Sequence, residues 1–538
     1  MTNNGSPQHA RIETPAVGRS RTWIVAGVLA VAGLSAIVGL VLRAGGTEDE
    51  PVVEAIPIVD PTSAVIATPT PTPQPMPSPT PAPTPTPLPA PTPTPYAGLV
   101  DPASVGQPYG SEVTGLLTFR GNPTRTFYGQ GSVPSNPRVQ WSYPPGGSMC
   151  GRTGLGGGTE VWCGTGWTGQ PAIVERDDAT WAVFGAYDYN VHFLDASNGE
   201  QLLSSFRTGD IIKGSVTIDP DGYPLVYSGS RDNFFHVIAV DRDEPAELWR
   251  LGADAPGSLW NNDWDGAAIV IDDYLFEGGE NSIFHVVKLN RGYDEDGLVT
   301  VDPEVVFTAP GYDDELIANV GSNVSIENSV ALYRETVYFA NSGGLVQGWD
   351  VSGIADGIDP ERVFRYWVGD DVDATIVIDE DGALYVGVEY ERGNARAAEV
   401  GQIVKLDPSN PEDPLVWSVF DNDRLPTGVW ATPALYKDLI VASTDSGRMI
   451  GIDRFTGEIR WEIPFNNKLW SSPVIVDDTL IQADCGGTVW AFDVADTMAE
   501  PRQLWSIALG SCIESTPAVW DGRIIVGTRA GQVHMLSD

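Results

Sequence analysis

An all-β ring, an eight-bladed β-propeller of four-stranded antiparallel blades, is the fold the sequence predicts, and three observations predict it. Apolar runs that end in Asp or Asn recur every 40 to 60 residues or so, as "VHFLD" at Asp195, "VIAVD" at Asp241, "VVKLN" at Asn290, "VQGWD" at Asp350, "IVKLD" at Asp407, "MIGID" at Asp453 and "WAFD" at Asp493. Each unit reads as strand, tight turn, strand, Gly-containing loop, strand, Asp corner, strand; blade seven gives "SSPVIVDD", "TLIQADCGG", "TVWAFD" and "QLWSIA". The third observation is at the chain end. The last unit has three strands, "STPAVWD", "GRIIVGTRA" and "QVHMLS", and its missing fourth is supplied by "PRVQWSYP" at 137–144. N- and C-terminal strands then close the ring in one shared blade, and radial repetition leaves few open sheet edges.

Four parts follow in chain order. Residues 1–22 form a short tail containing Arg11, Arg19 and Arg21. Residues 23–42, "WIVAGVLAVAGLSAIVGLVL", are uncharged and long enough to span a bilayer as a helix. The basic side stays in the cytoplasm, so a single-pass cell-membrane anchor with an extracytoplasmic C-terminal bulk is expected. A cleaved signal peptide is the competing reading, but the run is long and no clean A-x-A site precedes Glu48, Asp49 and Glu50. Residues 43–110 read as an acidic, then Pro/Thr-rich, disordered stalk. Every odd position from 69 to 95 is Pro, which removes alternate amide donors. As polyproline this stretch reaches about 80 Å at ~3.1 Å per residue. Residues 111–538 form the propeller.

The corner "DRFTGEIRW" has a local cause. Asp453 can accept from the next amides, Gly457 supplies a positive φ, and Trp461 fills space between blades. The same step links Asp241 to Trp249, with looser versions at Asp407 and Trp417 and at Asp493 and Trp505.

Composition excludes some functions. A formal charge of -41 argues against nucleic acid and against a grip on anionic lipid. The cysteines, Cys150, Cys163, Cys485 and Cys512, contain no CxxC pair, so zinc, thioredoxin-type and haem-attachment motifs are absent. Topology pairs Cys150 with Cys163, within one Gly-rich loop, and Cys485 with Cys512, on one face of neighbouring blades. His192, His236, His285 and His534 fall in four different blades and read as packing residues, each with a hydrogen bond, rather than a metal site. "DPDGYP" at 219–224 and "DEDGAL" at 379–384 read as hairpin turns, lacking the twelve-residue calcium-loop spacing.

The candidate site is a column. The residue opening each innermost strand reads, blade by blade, Thr168, Lys213, Asp265, Glu327, Asp373, Trp430, Trp470 and Glu514. In a propeller these positions ring the channel mouth, where Lys213 is the column's only base and Asn261, Asn262, Asp263, Asn328 and Asp371 lie nearby. Carboxylate and amide oxygens suit Ca²⁺. Trp faces suit cations and sugar rings. Charged residues also gather at a channel mouth because it is wet, and that plainer reading stands beside the binding one.

The repeat corner, the strands and "LLTFRGNPTRTFYG" at 116–129 resemble the quinoprotein-type, PQQ-binding-like β-propeller family over about residues 112–538. The resemblance implies a fold shared by calcium- and quinone-dependent dehydrogenases and by cofactor-free propellers such as the outer-membrane assembly lipoprotein, and for a Ca²⁺ site it implies Glu327, Asn328 and Asp373 as the candidate set. PQQ carries three carboxylates, which a carboxylate-lined mouth repels. The ring formed by adjacent cysteines in those dehydrogenases has no counterpart here. A non-catalytic scaffold for a protein or carbohydrate partner at the cell surface, working through the mouth or the loops 187–190, 231–235 and 390–400, is therefore expected. The alternative is a Ca²⁺- and PQQ-dependent dehydrogenase of alcohols or sugars.

Overall fold

A computed structural model describes residues 96–538 apart from 156–157, 167–168 and 423–424. The expected spanning helix at 23–42 and the Pro-rich stretch at 69–95 lie outside the described residues, as does Thr168. Among the described residues no helix is long and apolar enough to cross a membrane.

Eight antiparallel blades form the ring. Their innermost strands begin at Ala172, Thr217, Ile269, Ala331, Val377, Ala434, Val474 and Ala518. In blade eight the outer strand is Arg138–Tyr143, paired antiparallel with Gln532–Ser537, so the two ends of the propeller sequence close the ring as expected. Inner faces are Val-, Ile- and Leu-rich and buried, for example Ile481, Val489 and Ile513. The Asp corner folds as the sequence predicts. Asp453 Oδ1 accepts from Phe455 N and Thr456 N, both at 2.9 Å, and Gly457 takes φ 77°. The outer-strand Trp of one blade docks on the next blade's corner. Trp417 Nε1 donates to Arg454 O at 3.0 Å, and a Cβ at Gly457 would stand 2.7 Å from that indole. Trp141 repeats this across the closure, donating to Ala196 O at 3.1 Å.

One boundary moves. Residues 96–110, read from their polar, Pro-containing composition as the end of the stalk, pack on the propeller. Tyr109 is buried; its hydroxyl donates to Val270 O at 2.7 Å and accepts from Val270 N at 2.8 Å. A side chain here continues a backbone ladder, which composition does not reveal.

From there residues 115–130 run across the channel and meet the inner strand of every blade. Gly115–Leu116 pairs with blade one, and Leu117 O accepts from Ile218 N of blade two. Pro123 O accepts from Leu332 N of blade four, and Thr124 O from Ile378 N of blade five. Gly129–Gln130 lies parallel to blade eight. Two fully buried arginines do the rest. Arg120 Nη1 and Nη2 donate to Pro473 O (2.5 Å) and Pro433 O (2.6 Å) of blades seven and six. Arg125 Nε donates to Val330 O (2.9 Å) of blade four and Nη2 to Ala267 O (2.7 Å) of blade three. Both take the left-handed backbone conformation that non-glycine residues rarely adopt, φ 57° and 62°. Burial pulls the Arg125 pKa down to about 10, which leaves the guanidinium charged at neutral pH.

Of the four propeller histidines, His192 sits against Asp188, His236 against Asp232 and Glu247, and His534 against Ser142. His285 is buried beside Trp264, with Asn281 Nδ2 3.5 Å from Nε2, and burial lowers its pKa to about 3.

Two predictions follow from this packing. Arg125→Met should strip donors from buried carbonyls in two blades and cost on the order of 3 kcal/mol or more in chemical denaturation. For His285, the unfolded chain binds a proton near pH 6.5 that the folded chain refuses until about pH 3. Its contribution to stability is complete above pH 6.5 and is lost as pH falls toward 3, at up to about 1.4 kcal/mol per pH unit. Buried Glu277, opposite on the neighbouring strand, has its pKa raised by burial and shifts stability the other way. Denaturation curves of the wild type and His285→Gln should therefore diverge below pH 6.5, the wild type losing more.

Candidate functional site at the channel mouth

Inner strands one open, and strands two close, on the same face, so both sets of loops surround one end of the channel. The residues read as strand openers stand four positions ahead of the inner strands, Lys213 before Thr217 and Asp373 before Val377, and two residues past each of them a second belt appears. The amide of Gln170 donates to Ser215 Oγ, Ala267 N to Ser329 Oγ, Ser329 N to Thr375 Oγ1, Thr375 N to Thr432 Oγ1, and Thr432 N to Ser472 Oγ. Each bond joins one blade to the next, which fixes the openers as neighbours around the rim.

The column is brought together, and it is not bare. Lys213 Nζ lies 2.5 Å from Asp265 Oδ2, 2.6 Å from Glu280 Oε1 and 3.4 Å from Asp263 Oδ2. Burial alone would strip its proton, but Asp265, Glu280 and Asp263 reverse that and raise the pKa well above that of a free lysine. Burial pushes Asp263 up to about 7, with Glu280 adding to the rise and Lys213 and Arg231 opposing it. Asp265 is likewise raised by burial, against the pull of Lys213. Burial and then Asp373 push Glu327 up to about 8. Glu327 Oε1 accepts from Ser325 Oγ at 2.6 Å and Ser342 Oγ at 3.0 Å. Trp430 and Trp470 stack on each other with centroids 4.8 Å apart and planes at 19°. Trp430 Nε1 donates to Glu389, and Trp470 Nε1 to Asp445 at 2.6 Å. Glu514 accepts from Arg529 at 2.9 Å.

Two expectations change. Lys213 is the column's only base but not the mouth's. Arg231 pairs with Asp263 at 2.5 Å, Arg392 with Asp371 at 2.6 Å, and Arg529 with Glu514. Nor does Asn328 stand beside Glu327 and Asp373 as a free ligand. Asn328 is fully buried, its Nδ2 donating to Ala340 O (3.0 Å) and Val372 O (2.7 Å) and its Oδ1 accepting from Ala340 N (3.2 Å). It latches blade four to blade five with its amide engaged.

The bases and acids that the column missed share a position. Two residues past the small residue near the end of each second strand stand Tyr187, Arg231, Glu280, Ser342, Glu389, Asp445, Cys485 and Arg529. Five of its members, Glu280, Ser342, Glu389, Asp445 and Arg529, bond to the first column. The signal was in the sequence as "GAY", "GSR", "GGE", "GVE" and "GTR". The loops behind it differ in length, and 390–400 even contains a helix, Ala395–Val400, so the alignment is hard to see. Disulfides Cys150–Cys163 and Cys485–Cys512 form as expected, the latter tying the second column's Cys485 to the residue two before Glu514.

PQQ does not fit this arrangement. The Trp430 face is covered by Trp470, its N–H is engaged by Glu389, the mouth's ammonium is held by three carboxylates, and the Asn328 amide points into backbone. A tricarboxylate would meet a rim whose cations are already paired with the protein's own carboxylates. The larger clefts lie elsewhere, about 930 Å³ beside Tyr128, Tyr436 and Ile475, and about 530 Å³ beside Trp181, Tyr223 and Tyr293. Both border hairpins of the opposite face.

Lys213→Met leaves three buried carboxyls without their ammonium, and should cost about 3–5 kcal/mol in urea denaturation at neutral pH.

Residues 399–538 match the sequence profile of the outer membrane protein assembly factor BamB family. No curated protein matches the chain. Among solved structures, a europium-containing methanol dehydrogenase is 11% identical with a TM-score of 0.52, covering 79% of this chain and 98% of that one. Quinohemoprotein alcohol dehydrogenase ADHIIG from Pseudomonas putida HK5 is 12% identical with a TM-score of 0.51, covering 79% and 80%. BamB from Moraxella catarrhalis is 15% identical with a TM-score of 0.48, covering 75% and 98%. In its last quarter by sequence, and over most of its length by fold, the chain resembles the PQQ-like β-propellers.

Proposed function

We propose that the chain is a non-catalytic binding scaffold, anchored by residues 23–42 and holding its propeller outside the cytoplasm for a protein or carbohydrate partner. The observation that carries this reading is the self-engagement of the mouth. Its cations and both stacked indole N–H groups are bonded to its own carboxylates, so no cofactor cradle stands ready. Two disulfides support an oxidising compartment. The partial match to an assembly-factor family supports a protein partner over a small substrate. Contact would fall on the mouth-side loops, where Trp260 and Leu425 are exposed.

The alternative dehydrogenase reading has a defined test. Full-length chain in mild detergent is titrated with PQQ, with and without Ca²⁺, while Trp fluorescence is followed. No saturable quench up to millimolar PQQ, and no dye reduction with alcohols or sugars, is the expected result. Saturable PQQ binding that requires Ca²⁺ and disappears in Glu327→Ala would replace the scaffold with a dehydrogenase.

A further inference from the structure

Lys213 stands where a bond can form as well as an ion pair. Its Nζ lies 2.5 Å from Asp265 Oδ2 and 2.6 Å from Glu280 Oε1, and all three side chains are at least nine-tenths buried. A carboxyl C–O bond is about 1.2 Å long, so Nζ is no more than about 3.7 Å from Asp265 Cγ. A nucleophile and its carbon begin to react at ~3–3.5 Å when bulk water is kept out.

The two acids divide the roles that such an attack needs. Burial raises Asp265 well above the usual carboxylate range, against the pull of Lys213, so its carboxyl keeps a proton and its carbon is the electrophile. Against burial, Lys213 and a hydrogen bond with Asp265 hold Glu280 below its usual value, so it stays an anion that can take a proton. Asn261 Nδ2 donates to the other Glu280 oxygen at 2.6 Å and fixes the carboxylate between the amine and Asp265. A base is required, because the surrounding acids keep Lys213 protonated and an ammonium has no lone pair.

We propose that Lys213 and Asp265 condense into an intramolecular isopeptide bond, with Glu280 as the proton carrier. Glu280 takes one proton from the Lys213 ammonium, and the freed Nζ lone pair bonds to Asp265 Cγ. The nitrogen then passes one of its two remaining protons, by way of Glu280, to the Asp265 hydroxyl. That hydroxyl leaves with its bonding pair as water. The products are one amide, one water and a Glu280 that holds the first proton; nothing is oxidised or reduced, and no cofactor is needed. The amide would tie the head of blade two covalently to the head of blade three. It is independent of the scaffold reading.

Two places in the same chain serve as comparisons. Blade five repeats the trio Asp263, Asp265 and Glu280 as Asp371, Asp373 and Glu389, each trio with its carboxylate oxygens within 4.8 Å of one another. The residue before that trio, at the position of Lys213, is Glu327, which has no nitrogen to attack. Lys405 is also buried, but its Nζ stands 3.8 Å from Asp379 and donates to Arg454 O. Its amine should stay free.

The test is the mass of the full-length chain with both disulfides formed, followed by peptide mapping. The chain should be lighter than its sequence by one water beyond the disulfide hydrogens. A branched peptide should join Lys213 to Asp265, while Lys405 appears in ordinary peptides. Glu280→Gln, which cannot accept the proton, should leave most chains unlinked. A wild-type chain with no missing water and no branched peptide overturns the proposal, and so does a linkage from Lys213 to any other carboxyl. Complete linkage in a folded Glu280→Gln overturns it as well. If Glu280→Gln does not fold, Glu280→Asp is read instead: its carboxylate stops one methylene short and should leave a measurable unlinked fraction, and complete linkage there counts against the proposal in the same way.

Discussion

The unpaired inner edge of each blade is the constraint on which this propeller depends. An innermost strand bonds outward to the next strand and leaves amides and carbonyls facing the channel, where an unmatched group is costly. Residues 115–130 answer that demand for all eight blades. Backbone carbonyls of the segment serve the amides of blades two, four and five, and two guanidinium groups serve the carbonyls of blades three, four, six and seven. Arginine suits the task because its planar fork reaches two blades from one side chain. Left-handed backbone at both arginines is the strain that aims those forks. The crossing segment therefore ties the ring from inside, while Arg138–Tyr143 closes it from outside.

That division leaves the mouth for other chemistry. Carboxyls crowded into low dielectric must be paired, protonated or bridged. Around the rim each solution differs. Blade three pairs its trio with Lys213 and Arg231, and blade eight pairs Glu514 with Arg529. Blade four engages Glu327 with two hydroxyls. In blades six and seven, indole N–H groups reach back to acids of the preceding blade, which draws the two rings into a stack.

Repetition governed what could be read from sequence. Strands, Asp corners, docking tryptophans, the shared closing blade and both disulfides were legible because each recurs at a fixed offset or lies in loops whose face follows from counting strands. The opener column was legible for the same reason. Asn328 misled because its neighbour Glu327 does face the mouth, whereas in the irregular stretch ahead of Ala331–Tyr333 the next side chain turns to the blade-five backbone. The roles of Arg120, Arg125 and Tyr109 were hidden because their partners are main-chain atoms, which carry no sequence signature. Arg231, Glu280, Glu389 and Arg529 were hidden in part by loops of unequal length, although the small residue two places before each marks them.

Comparing blades with one another exposes what a single site conceals. A propeller presents the same backbone frame eight times, so a substitution at one frame position is a controlled change of chemistry. Lys213 and Glu327 occupy the same frame position before trios of the same geometry, and they carry opposite charge. With the ammonium, the trio ahead of it is neutralised within the fold. With the carboxylate, the next trio is left to Arg392 on Asp371 and the Trp430 indole on Glu389, while the belt of hydroxyl bonds holds both trios in one geometry. The frame thus fixes where charge converges, and the residue at the head of the preceding blade decides how much of the counter-charge comes from that neighbour.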